Sequence, residues 1–268
     1  MNNNPIGIFD SGIGGLTVAN AISKAMPQET LIYFGDTAHL PYGEKSKDLI
    51  REYADGITNF LLHERNCKAI VIACNTASAA AYEYLRDNYK GKIPIINVID
   101  PMVEALVDNP SLKKIGLIAT NTTIESGVYQ EKIDRRIPGA YVSALATPML
   151  VPMIEEGYAN DDISHTLIGN YLGNEALQGI DALILGCTHY PIIKAEINEY
   201  YKGKVALVDS TDIVAAKLKA ILIKENLVAE ERTKNDKFYI SDSNPHFDKS
   251  AKRFFKESIN LEHLYIWK

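Results

Sequence analysis

The 268-residue chain is 46% hydrophobic and 23% charged, enough apolar material for one large or two modest cores. Its net charge of −6, with basic residues scattered along the chain, argues against nucleic acid as the main partner, and no apolar run approaches the ~20 residues of a membrane helix. The start Met1-Asn2-Asn3-Asn4-Pro5 lacks the basic and apolar regions of a signal peptide, so the cytoplasm is the expected location.

In chain order, short apolar runs at residues 6–9, 31–34, 69–73 and 93–98 are bounded by turn signals and separated by segments of helical length, the pattern of buried parallel strands in an α/β protein. A second set follows at 115–119, 141–145, 182–186 and 205–208. The sets correspond in order and type. Ile6-Gly7-Ile8-Phe9 answers to Ile115-Gly116-Leu117-Ile118, Ala69 to Cys74 answers to Ala182 to Cys187, and Val98-Ile99-Asp100 answers to Leu207-Val208-Asp209, at offsets of 109, 113 and about 110 residues. Such a period is too long for a solenoid repeat. It predicts two similar α/β halves with mainly parallel sheets facing a central cleft. The remaining chain predicts an amphipathic helix over 211–225, a strand over 238–241 and a basic helical stretch over 249–256, returning to pack on the first half. The expected division is therefore 1–98 plus 208–268 for the first domain and 99–207 for the second.

In open α/β sheets ligands bind beyond the carboxyl ends of the strands, and the informative residues fall there. The relevant strands end in Asp10-Ser11-Gly12-Ile13-Gly14-Gly15, Cys74-Asn75-Thr76-Ala77-Ser78, Thr120-Asn121-Thr122-Thr123 and Cys187-Thr188-His189-Tyr190-Pro191. Helix capping alone explains any one junction, and for Ser78 and Thr122 it is the preferred reading. Capping does not explain a cysteine at the equivalent strand end of both halves. The three cysteines form no C-x-x-C pair, and Cys67, which precedes an apolar run, reads as a small buried hydrophobe.

Facing each other across a cleft, Cys74 and Cys187 suit proton transfer at carbon: one thiolate removes a proton from one face and one thiol delivers a proton to the other. A thiol of ordinary pKa ~8.5 can serve as base or acid once tuned, and a helix N-terminus is expected to lower it. Asp10 and His189 stand where each could manage one cysteine's proton. Glu155, in Pro152-Met153-Ile154-Glu155-Glu156-Gly157, follows a loop that mirrors Leu40-Pro41-Tyr42-Gly43 at an offset of 111, and reads equally well as a solvated helix residue or as part of the site.

Taken together, the blocks Phe9 to Val18, Gly35 to Gly43, Ala73 to Ser78 and Leu185 to Pro191 resemble those of the glutamate racemases in the aspartate/glutamate racemase superfamily, in the same order across about the first 210 residues. The resemblance implies two α/β domains around a cleft and a two-base mechanism without pyridoxal phosphate or metal. It implies that Cys74, assisted by Asp10, deprotonates D-glutamate and that Cys187, assisted by His189, deprotonates the L-isomer. It maps substrate contacts onto Ser11, Tyr42, Gly43, Asn75, Thr76, Thr120, Thr123 and Thr188. The implied role is supply of D-glutamate for peptidoglycan, and a homodimer is compatible with it. No Lys or Arg lies in the four blocks, so anion binding is expected from hydroxyls, amides and helix N-termini.

Other readings fit fewer residues. Gly12-Ile13-Gly14 after a strand, with Asp36 further on, evokes a dinucleotide fingerprint, but Thr17 stands where glycine is needed. A cysteine hydrolase or amidase, or a one-cysteine decarboxylase of the same superfamily, leaves the second strand-end cysteine without a task. Zinc at Cys187 and His189 lacks further ligands at suitable spacing. A non-catalytic amino-acid-binding protein would make both thiols packing residues. Among racemases, aspartate or another small amino acid is the alternative substrate.

Overall fold

The computed structural model describes residues 3–243, 245–255 and 259–267. Its first half runs β1 (Ile6–Asp10), α1 (Leu16–Ala25), β2 (Leu31–Gly35), α2 (Lys47–Asn59), β3 (Ala69–Ile72), α3 (Asn75–Asn88), β4 (Ile95–Asn97) and α4 (Ile99–Val107). The second runs β5 (Lys114–Ala119), α5 (Asn121–Glu125), α6 (Val128–Arg136), β6 (Tyr141–Ala146), α7 (Leu150–Glu156), α8 (Asp162–Leu172), β7 (Ala182–Gly186), α9 (Lys194–Tyr200) and β8 (Ala206–Val208). The chain continues through α10 (Thr211–Lys224), β9 (Lys237–Ile240), α11 (Pro245–Phe255) and β10 (Leu261–His263). The basic helical stretch expected to reach Lys256 ends within α11; Lys256 itself lies outside the described residues.

Two wholly parallel sheets result, in the orders β10-β9-β2-β1-β3-β4 and β6-β5-β7-β8. Strands β1, β2, β3 and β7 are buried along their whole length, because helices cover both faces of a parallel sheet and near-continuous Ile, Leu, Val and Phe runs satisfy both. The repeat read from sequence extends to register. Ile6 pairs with Ala69 on β3, and Ile115 pairs with Ala182 on β7. One rung on, a side chain on Gly7 would press on Cys67, 3.1 Å away, and one on Gly116 would press on Ile180 at 2.7 Å. Cys67 and Ile180 each stand two residues before their strand and fill the same niche. This is the packing role expected of Cys67.

The returning segment joins the first sheet at its β2 edge through β9, as expected, and adds β10, which the sequence reading lacks. Helix α10 packs on α1 and α4. Strand ends in both sheets thus open toward one region, where α1, α3 and the β7 loop meet.

Candidate active site

A cavity of about 310 Å3 lies between the two sheets' carboxyl ends, within the size range of small-molecule sites. Its wall includes Asp10, Ser11, Cys74, Asn75 and Thr76 from the first sheet's strand ends. From the second come Thr120, Cys187, Thr188, His189 and Glu155. Tyr42 and Gly43 also line it; of the catalytic and substrate-contact residues expected from sequence, Thr123 alone stands behind the wall. Leu40 and Pro41 line it too, as do Val151 and Pro152, which lie in helix α7 and not in the expected loop, and Pro148, Glu44, Asn121 and Gly186 complete the lining. The wall contains no Lys or Arg.

The β1 loop folds around its own carboxylate. Asp10 Oδ2 accepts the amides of Gly12 at 3.2 Å and Gly15 at 2.9 Å, and the Tyr33 hydroxyl donates to the Gly12 carbonyl at 2.8 Å. A side chain on Gly15 would sit 2.7 Å from Asp10 Cβ and 2.9 Å from the Ala73 carbonyl, so the close approach requires glycine. The amides a dinucleotide loop would turn toward a pyrophosphate are occupied here. Asp36, the other half of that rival reading, is buried and accepts from Tyr42 Oη at 2.7 Å, Ser241 Oγ at 2.9 Å and Trp267 Nε1 at 3.1 Å, with His39 Nδ1 at 2.9 Å. The Tyr42 hydroxyl is thereby held by Asp36, leaving its ring as cavity wall.

Cys74 is the N-cap of α3 and its Sγ accepts the Ala77 amide at 3.4 Å, with Ser11 Oγ at 3.7 Å. The expected lowering by the helix N-terminus is overridden: burial, then the nearby Asp10 carboxylate, push the Cys74 thiol up to about 12 against the Ala77 and Ser11 hydrogen bonds. Asp10 is likewise raised above 3.8 by burial, although His189 and the loop amides pull it down.

The second half is built differently. Cys187 is followed by a 3-10 turn over Tyr190–Ile193 instead of an α-helix, so no long helix end stands behind it. Its Sγ lies 3.6 Å from His189 Nδ1, and His189 Nε2 lies 2.8 Å from Glu155 Oε1. Burial alone would lower His189, but hydrogen bonds to Cys187 and Glu155 hold it well above 6.5. Burial likewise favours a raised Glu155, and the His189 hydrogen bond more than reverses it, leaving the carboxyl below 4.5. Glu155 thus lines the cavity and is bonded to His189. Helix α11 braces this arm. Phe254 packs edge-on against the His189 ring with centroids 5.2 Å apart, and Ser250 Oγ donates to the Glu155 carbonyl at 3.1 Å.

The threonines form one cluster across the halves: Thr76 Oγ1 lies 2.9 Å from Thr120 Oγ1 and 3.3 Å from Thr123 Oγ1, and the last two are 3.0 Å apart. Thr122 and Ser78 are not simple caps. Thr122 Oγ1 donates to the Gly43 carbonyl at 2.6 Å, and Ser78 Oγ donates to Ile72 and accepts from Val98, tying β3 to the end of β4. Thr188 presents its carbonyl to Thr17 Oγ1 at 2.9 Å, anchoring the Cys187 loop on α1. Asn75 bonds Tyr129, and both Tyr129 and Phe254 are absent from the sequence reading; their only signal is tertiary. Among the described residues, no three His, Cys, Asp or Glu side chains converge to hold a metal ion, and no helix is long and apolar enough to cross a membrane.

The Asp/Glu/Hydantoin racemase family matches residues 16–218. Glutamate racemase of Neisseria meningitidis serogroup A is 42% identical over 256 residues, 95% of this chain and 94% of that protein. The crystal structure of glutamate racemase from Francisella tularensis in complex with D-glutamate superposes with a TM-score of 0.92 at 38% identity, covering 99% of both chains. That of Thermus thermophilus, in complex with beta-chloro-D-alanine, gives 0.88 at 36% identity over 99% of this chain and 98% of that one.

Proposed function

The chain belongs to the Asp/Glu/hydantoin racemase family, and from that premise we propose that it interconverts L- and D-glutamate by two-base proton transfer between Cys74 and Cys187, supplying D-glutamate for peptidoglycan. The observation that carries the mechanism is a cysteine from each sheet on the wall of one cavity, Cys74 sharing it with the Asp10 carboxylate and Cys187 lying 3.6 Å from the His189 imidazole.

Cys187, as thiolate beside the His189 imidazolium, removes the Cα proton of L-glutamate. Negative charge develops on Cα and spreads into the α-carboxylate. The Cys74 thiol, loaded with its proton because burial and Asp10 hold that proton on, delivers it to the opposite face. One C–H bond breaks as an S–H forms, one S–H breaks as a C–H forms, and the two thiols have exchanged protonation. The reverse path starts at Cys74, where the substrate ammonium supplies the positive charge that His189 supplies beside Cys187. His189 stabilises the Cys187 thiolate, and Glu155 stabilises and orients His189. Ser11, Asn75, Thr76, Thr188 and Thr120, which Thr123 backs from behind the wall, are assigned to the two carboxylates, with Tyr42 and Gly43 as walls.

No cofactor or metal enters this scheme. We take the two structural units to be 1–98 with 208–268, and 99–207, a division supported by the sheet membership of β9 and β10. A cytoplasmic enzyme and a homodimer complete the reading.

The test is proton NMR of L-glutamate in D2O with protein freed of metals and pyridoxal phosphate, with chiral analysis of the product. The expected result is Cα deuteration together with D-glutamate, abolished in Cys74→Ala and in Cys187→Ala while both retain the native far-UV spectrum. Exchange with aspartate but not glutamate would leave the mechanism and overturn the substrate; full activity in either variant would remove that cysteine from it.

A further inference from the structure

Asn75 is 3% exposed, and its side-chain nitrogen is buried without a hydrogen-bond partner although the residue forms part of the cavity wall. A buried amide N–H left unpaired loses its hydration without compensation. Natural structures retain such a group where a ligand completes it.

The other end of the amide is fixed. Tyr129, fully buried on α6 of the second half, donates its hydroxyl to Asn75 Oδ1 at 2.6 Å. The alternative acceptor beside that hydroxyl is Met102 Sδ at 3.9 Å, a weak thioether site. An amide flip would put the Asn75 donor against the hydroxyl oxygen and send the hydroxyl proton to sulfur, so the stable arrangement has Oδ1 on Tyr129 and leaves Nδ2 as the unpaired donor of a residue in the cavity wall. Tyr129 reaches Asn75 from the opposite half. One turn along α6, Lys132 bridges Asp100 at 2.7 Å and Glu83 of α3 at 3.6 Å, holding α6 against α3.

We infer that Tyr129 is a positioning residue for substrate binding: its hydroxyl locks the Asn75 amide so that Nδ2 donates to a carboxylate of the bound acidic amino acid. The donor is aimed only while α6 and α3 are apposed, so this part of the anion site is assembled across the two halves. The inference rests on the racemase reading.

Steady-state kinetics of Tyr129→Phe with both glutamate enantiomers tests it. The ring stays and the hydroxyl goes, freeing the amide to rotate. KM for both enantiomers is expected to rise about fivefold to tenfold, the loss of an aimed hydrogen bond to a charged group, with kcat within about threefold and an unchanged melting temperature. In an Asn75→Ala background the same change should add nothing further. An unchanged KM in Tyr129→Phe would overturn the proposal, as would an equal KM rise in the Asn75→Ala background, or loss of kcat and melting temperature with KM intact. Should Tyr129→Phe fail to fold, Asn75→Ala decides: it removes the donor without adding a charge, so a KM raised about fivefold or more for both enantiomers supports the proposal and an unchanged KM overturns it. Wild-type protein that fails to turn over glutamate in the same assay would sink the racemase reading instead.

Discussion

The two cysteines that line the cavity are held in opposite electrostatic settings. Cys74 has a buried carboxylate for a neighbour and its thiol is pushed up to about 12, whereas Cys187 faces His189, which hydrogen bonds to Cys187 and Glu155 raise well above its ordinary value. Glu155→Gln keeps the shape of that arm and deletes the charge. We expect kcat to fall about 10-fold to 100-fold, the loss of roughly 1.4–2.7 kcal/mol of transition-state stabilisation, with KM changed little. The stability consequence has a definite pH window. His189 is raised above 6.5 in the fold, so its contribution is complete below that value and disappears as pH climbs through the folded pKa. Glu155 is lowered below 4.5, so its contribution is complete above that value and disappears as pH falls through the folded pKa. The pair therefore stabilises most between about pH 4.5 and 6.5, and the melting-temperature gap between wild type and Glu155→Gln should be widest there. A gap that grows steadily into the alkaline range would contradict the ion pair.

At this scale the cysteines, Asp10 and His189 were legible because each follows a predicted strand end, where local sequence and ligand position coincide. Glu155 was ambiguous because its partner is 34 residues away. Tyr129 and Phe254 were invisible, since nothing in a buried aromatic on a helix says which side chain its hydroxyl or edge will meet. The sign of the Cys74 shift was also beyond reach: a helix N-terminus is read from spacing, but desolvation requires knowing what covers the thiol.

Among the elements, the paired sheets carry the same spatial order and the same rung pairing, so the cysteines of β3 and β7 follow equivalent positions by construction. That equivalence was readable from the apolar runs, as was the parallel pairing, because fully buried strands leave long β-branched and aliphatic signatures. Strand β10 was not, being three residues at a sheet edge with partial exposure. The bracing of His189 by α11 could not be read either, since amphipathic pattern shows that a helix packs but not on which loop. The shared niche over Gly7 and Gly116 separates the third cysteine from the other two. Cys67 is buried, and burial pushes its thiol up to about 12 despite Arg65, leaving an inert filler at the end of the sheet away from the site. Cys67→Ala should lower stability by about 1 kcal/mol, roughly one buried heavy atom with a small cavity, and leave kcat and KM for both enantiomers unchanged. Urea denaturation alongside racemisation kinetics checks this, and loss of turnover in the folded variant would contradict a packing role.

For the whole molecule, the site at the carboxyl ends of the strands depends on a frame closed at the opposite ends. Lys68, just before β3, and Glu29, just before β2, pair at 2.5 Å with both side chains fully buried, and Glu29 Oε1 also accepts the amide of Ala229 at 2.8 Å from the segment after α10. The pair therefore staples the returning chain to the sheet it completes, and the β9 edge follows directly, with the Leu31 amide donating to Asp236 at 2.8 Å. Removing one member leaves a buried charge uncompensated, whereas replacing both by apolar groups of similar size removes the burden altogether. Lys68→Met is expected to cost about 3–5 kcal/mol, and the double variant Lys68→Met/Glu29→Met to recover a part of that loss, limited by the orphaned Ala229 amide. Because the pair lies at the far end of the strands from Cys74 and Cys187, kcat of whatever protein remains folded should match wild type. Chemical denaturation of the single and double variants, with active-site titration to count folded enzyme, separates the two quantities. A double variant no more stable than the single one would mean that the hydrogen bond to the returning segment, and not the ion pair, holds the frame closed.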